Sequence, residues 1–130
     1  MKKLIASLIT IATVGSFSMA QADQLPTKEV GVTVNEVYIP GGFSSENDAF
    51  VVVSGLFPNS CYHWGRTEVA NPQGHLYEIR SFANVTQAMC LMVLVPYSKE
   101  VRLGRLPAGE HTLRFINGDG TYMDKSISVE

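Results

Sequence analysis

Apolar residues recur along this chain at every second position, and turn residues interrupt them every eight to twelve positions. That rhythm predicts short antiparallel strands. Val30, Val32 and Val34 alternate with Gly31, Thr33 and Asn35, and Val37-Tyr38-Ile39 extends the same strand until Pro40-Gly41-Gly42 breaks it. The stretch from Phe43 to Asp48 is polar and predicts a loop. Ala49 to Gly55 is a continuous apolar run, which predicts a central strand covered on both faces. Leu56 to Ser60 turns the chain through Pro58 and Asn59. Tyr62 to Val69 and Leu76 to Phe82 predict a hairpin around Asn71-Pro72-Gln73-Gly74. Ala83 to Thr86 leads into Met89 to Val95, a second wholly apolar strand ended by Pro96. Val101-Arg102-Leu103 predicts a short strand, followed by a turn over Leu106 to Gly109. His111 to Ile116 and Tyr122 to Val129 predict a closing hairpin around Asn117-Gly118-Asp119-Gly120, whose Asn-Gly and Asp-Gly pairs suit tight turns.

No segment sustains the i, i+3, i+4 spacing of an amphipathic helix. About eight short strands predict an all-β domain, a sandwich or a small barrel. The two apolar strands around Val52 and Val93 favour the sandwich, each at the centre of one of two facing sheets. The expected core comprises Val32, Val34, Val51, Val53, Ile79, Leu91, Val93, Leu103, Leu113, Phe115 and Ile127.

The first 22 residues add an address. Lys2 and Lys3 precede an apolar stretch from Leu4 to Phe17 and the small-x-small site Ala20-Gln21-Ala22, the layout of a secretory signal peptide. Residues 23–130 then form a single domain, expected in the periplasm or secreted. Residues 1–22 carry two lysines and no acid, so twelve acidic side chains face eight basic ones in the remainder, a formal net charge of −4. That balance, without a basic run, argues against nucleic acid and against anionic lipid surfaces. No later stretch is long and apolar enough to predict a membrane span.

Cys61 and Cys90 are the only cysteines and lie far from any Cys-x-x-Cys spacing, so in an oxidising compartment they predict one disulfide. Trp64 follows Cys61 by three residues, which on a straight strand places the two on opposite faces. Either Cys61 belongs to the preceding turn or Trp64 is not the Trp of the core.

Other chemistry finds little support. A transition-metal site needs three or four converging ligands. His63, His75 and His111 share no local spacing, so no metal site and no cofactor are expected, although two histidines meeting at one end of the sandwich would make one. There is no Gly-x-Ser-x-Gly elbow, and the carboxylates Glu68, Glu78, Glu100 and Glu110 fall where solvated acids are usual. Asn117 to Gly120 lacks the alternating acids of a calcium loop. The chain is not expected to be an enzyme. For partner binding, Phe43 in its polar loop, Tyr62 and Trp64 on one strand, and Tyr97 after Pro96 are the candidate interface residues, because aromatics at loops and edges often anchor interfaces.

From Val37 onward the wording Val37-Tyr38-Ile39-Pro40, Gly55-Leu56-Phe57-Pro58-Asn59-Ser60-Cys61-Tyr62, Val95-Pro96-Tyr97 after Cys90, and Val101 to Gly109 resembles a family of uncharacterised secreted domains of Gram-negative bacteria. The resemblance implies an immunoglobulin-like sandwich and supplies no functional residue. The expectation is therefore a monomeric or weakly associating, non-catalytic interaction module of the bacterial envelope. Its partner would be another envelope or secreted protein, served as an accessory or inhibited. The alternative is a periplasmic protein that binds a small ligand or a copper or zinc ion.

Overall fold

The computed structural model of the protein describes Gly15 and residues 25–130. Gly15 apart, the expected signal peptide, residues 1–22, lies outside the described residues. These contain eight strands and no helix: β1 (Thr27–Gly31), β2 (Glu36–Tyr38), β3 (Asp48–Phe57), β4 (Tyr62–Gln73), β5 (Leu76–Thr86), β6 (Val95–Arg105), β7 (Gly109–Ile116) and β8 (Tyr122–Val129). They form two sheets, one of five strands and one of three, as a sandwich requires.

The larger sheet is organised around β5. β4 runs antiparallel along one edge of it, from Val85 back to Leu76. The other edge is shared by two strands end to end. β1 pairs antiparallel with Phe82 to Thr86, and β7 pairs parallel with Leu76 to Arg80. Beyond β7 lies β8. Glycines allow the two strands to meet: a Cβ built on Gly31 would lie 2.6 Å from Gly118 Cα, and one on Gly118 would lie 2.6 Å from the Gly31 carbonyl oxygen. The smaller sheet has the order β2-β3-β6, antiparallel throughout.

The core lies between the sheets. Val51, Val53 and Val101 of the smaller sheet pack with Ile79, Leu113, Phe115 and Ile127 of the larger one. A second cluster of Val32, Phe57, Ala83 and Tyr97 occupies one end, and Trp64 packs against both. Cys61 belongs to the turn before β4, which removes the expected conflict with Trp64.

Several sequence expectations are corrected. The apolar stretch from Met89 to Leu94 is not a strand but an exposed loop, so Leu91 (70% exposed) and Val93 (52%) leave the core. β6 begins only at Val95 and accepts Pro96 as its second residue, a tolerable place for Pro because β6 is an edge strand. Its alternation of Val95, Tyr97, Val101 and Leu103 is interrupted at Lys99, which hid its length. Lys99 sits opposite Val53 yet stays exposed, the kind of edge charge that discourages sheet-to-sheet aggregation. The stretch from Val30 to Ile39 is two strands in different sheets, because the chain crosses over after Gly31. β3 is buried on one face only: Ala49, Val51 and Val53 point in, while Phe50 and Val52 are half-exposed. Finally, Gln73 pairs with Leu76, so β4 and β5 turn through Gly74-His75 alone.

Candidate functional site

The loop from Gln87 to Leu94 joins β5 in the larger sheet to β6 in the smaller. Its backbone is fastened at several points. The Gln87 amide donates to the Pro26 carbonyl at 2.8 Å, and the Thr86 amide to the Cys61 carbonyl at 2.9 Å. Cys90 is bonded to Cys61 across a Cα–Cα distance of 5.4 Å. One residue on, the Leu91 amide donates to Ser60 Oγ at 2.7 Å and the Ser60 amide to the Leu91 carbonyl at 3.0 Å. The Cys61 amide is in turn held by Asn59 Oδ1 at 2.9 Å, so the receiving turn is itself ordered.

With the backbone tied to the 59–61 turn, the side chains have nowhere to go but outward. Met89, Leu91, Met92, Val93 and Leu94 are all exposed, and Leu56 beside the start of β6 joins them. No residue from 87 to 98 carries a charge. Scattered exposed apolar residues are ordinary, but consecutive ones on a fastened loop form a patch that water solvates poorly. Its chemistry is that of an apolar contact surface, with the Ser60 hydroxyl engaged by the Leu91 amide.

The expected interface residues stand elsewhere. Phe43 is only 7% exposed, a correction to its expected place as an interface residue in a polar loop. Its ring meets Phe50 edge-on at 5.5 Å, and its carbonyl accepts from the Glu130 amide at 2.8 Å, so it closes the core beneath the C-terminus. Tyr97 is buried as well: its ring stacks on Phe57 at 4.5 Å and its hydroxyl donates to the Thr33 carbonyl at 2.6 Å. Burial pushes the Tyr97 phenol up to about 12. Tyr62 and Trp64 are half-buried, Tyr62 against Phe57 at 5.7 Å and Trp64 against Tyr97 at 5.6 Å. These aromatics fill the end of the sandwich below the apolar loop rather than forming the surface.

Of the three histidines, His63 is exposed on β4, while the fold brings the other two together. His75 Nδ1 and His111 Nδ1 lie 3.3 Å apart, and His111 Nε2 lies 2.6 Å from the Pro107 carbonyl oxygen. Among the described residues no cluster of three or more His, Cys, Asp or Glu side chains gathers in a metal-binding arrangement. The surface charges pair locally: Arg66 bridges Glu29 at 2.7 Å and also Glu68, and Arg114 bridges Asp124 at 2.9 Å. Hydrogen bonds from these arginines hold Glu29 and Asp124 below the usual carboxylate range.

A family model described as the ORF11 beta-sandwich domain matches residues 51–128, from within β3 to within β8. The chain belongs to that family. The match agrees with the two-sheet architecture and includes the fastened loop, both bonded cysteines and the three histidines. In this ORF11 beta-sandwich domain, β1 and β2 lie before the matched residues. No curated protein and no solved structure matches the chain.

Sequence reasoning missed the loop and its anchor Ser60. A signal was present: a cysteine inside an unbroken apolar run, when its only possible partner sits in a turn, ties that run to a turn and not to a sheet.

Proposed function

We propose that this protein is an exported, non-catalytic interaction module of the bacterial envelope, and that the loop Met89 to Leu94 is its binding surface. The observation that carries this reading is the exposure of five apolar side chains on a backbone fastened by Cys61–Cys90 and by Ser60. A loop already held in place loses little further freedom on binding, which raises affinity without added contacts. Met89 and Met92 are flexible, polarisable side chains suited to an irregular apolar cleft. The partner is a protein with such a cleft, which the module assists or blocks. A lipid surface is disfavoured because residues 87–98 carry no cation and the domain is net acidic. The basic, apolar and small-residue layout of residues 1–22 supports export to the periplasm or beyond.

The test compares the protein with a Leu91→Asp, Met92→Asp variant in capture from the envelope of its own host. Both positions are exposed, so the variant keeps the melting temperature of the parent. Stoichiometric capture of one protein by the parent and none by the variant is the expected result. Equal capture by both, or partition of the parent onto phospholipid vesicles, overturns the reading.

A further inference from the structure

His111 is held from two sides. Its Nε2 lies 2.6 Å from the Pro107 carbonyl oxygen, and the Tyr77 ring stands edge-on to it at 5.5 Å. A carbonyl can only accept, so Nε2 carries the ring hydrogen and Nδ1 of the neutral imidazole presents a lone pair. That lone pair faces His75 Nδ1 at 3.3 Å. Histidines that ligate metals show this division of labour, one ring nitrogen donating to a backbone carbonyl and the other turned to the ion.

The 3.3 Å spacing has a metric meaning as well. Two imidazole nitrogens each about 2.0–2.1 Å from a tetrahedral Zn²⁺ lie about 3.3–3.4 Å apart. Neighbouring ligands in a square-planar Cu²⁺ site lie closer, at about 2.8–3.0 Å. The local fold maintains the spacing: the Thr112 amide donates to the His75 carbonyl at 2.7 Å, which ties the Gly74-His75 turn to β7 beside His111. An ion would arrive from the His75 side: His75 is exposed and lines a shallow depression with Gln73, Thr112 and Asp124, while His111 behind it is buried.

We propose that His75 and His111 form a two-histidine Zn²⁺ site, with the remaining coordination positions taken by water or by a donor of a bound molecule. On binding, His75 takes the tautomer with its hydrogen on Nε2, and the hydrogen bond between the two Nδ1 atoms is replaced by two bonds to the ion. The site lies at the start of β5, roughly 30 Å along that strand from the apolar loop at its other end, and so stands independently of the proposed binding surface.

The experiment titrates Zn²⁺ alone into chelator-treated protein free of any histidine tag, read by calorimetry and by the imidazole ¹⁵N resonances. One ion per chain is expected, shifting the ring nitrogens of His75 and His111 together and leaving those of His63 in place. His75→Ala, at an exposed turn, weakens binding by at least about tenfold, since even outer partners of a ligand contribute that much. His63→Ala leaves binding unchanged. Absence of stoichiometric binding, binding that survives His75→Ala undiminished, or binding that is lost with His63→Ala overturns the proposal.

Discussion

Gly55 and Tyr97 lie opposite each other on β3 and β6, and the fit leaves no space for a side chain. A Cβ on Gly55 would stand 2.5 Å from the Tyr97 hydroxyl oxygen, so the missing side chain makes room for the phenol that reaches Thr33. Tyr97→Phe removes that hydrogen bond and is expected to cost about 1 kcal/mol, measured by urea unfolding. The same residue sets an alkaline limit. Its folded pKa is raised from 10.0 to about 12, so its contribution is complete below pH 10.0 and fades as pH climbs towards about 12. The Phe variant is expected to lose less stability than the parent over that interval. Gly118, in the turn after β7, is a second tight point, because an added Cβ meets the backbone of Gly31 at the end of β1. Gly118→Ala is expected to cost about 1–3 kcal/mol. Gly41→Ala, which meets nothing within 4 Å, serves as the neutral comparison.

At the scale of elements, the disulfide does two things. It shortens the unfolded chain's freedom across a separation of 29 residues, worth about 3–4 kcal/mol in the chain-entropy model. It also holds the apolar loop against the 59–61 turn. The Cys61→Ser, Cys90→Ser variant is expected to lose that much unfolding free energy and to melt at a lower temperature, and a reductant is expected to lower the parent's melting temperature while leaving the variant's unchanged. Much of the strand plan was legible because alternation reports one buried face: β7 follows it closely, and Val51, Ile79, Leu113, Phe115 and Ile127 are buried as anticipated. The failures share a cause. Periodicity reports the burial that a strand's neighbours permit and says nothing about which neighbours arrive. Met89 to Leu94 reads as a core strand until Cys90 fastens it to a turn. Phe43 reads as a loop tip until Val129 and Glu130 pair with its backbone. Val30 to Ile39 reads as one strand because a crossover between sheets need not break the alternation. The pairing of His75 with His111 was likewise hidden, since it depends on the parallel register of β5 with β7, where Leu76 meets Thr112.

Over the whole molecule, the sandwich separates two places with different chemistry. One end, filled by Phe57, Tyr62, Trp64 and Tyr97, supports an uncharged apolar loop; the other carries the histidine pair beside the β4–β5 turn. The strands between them give the loop a rigid base, and β5 runs from one place to the other. The sheet edges have their own protection, since β2 is short and β6 carries Lys99 on its core-side register. The loop is an exposed run of apolar side chains that its own anchors hold outward, and the proposed binding surface depends on what covers it. The most direct measurement is site-specific photo-cross-linking in the native host, with the reactive residue placed at Met92 and, as a comparison, at Lys125 on β8. A discrete cross-linked protein from position 92 and none from position 125 is the predicted result. No adduct at 92, or the same adducts from both positions, would contradict the claim that this loop is the binding surface.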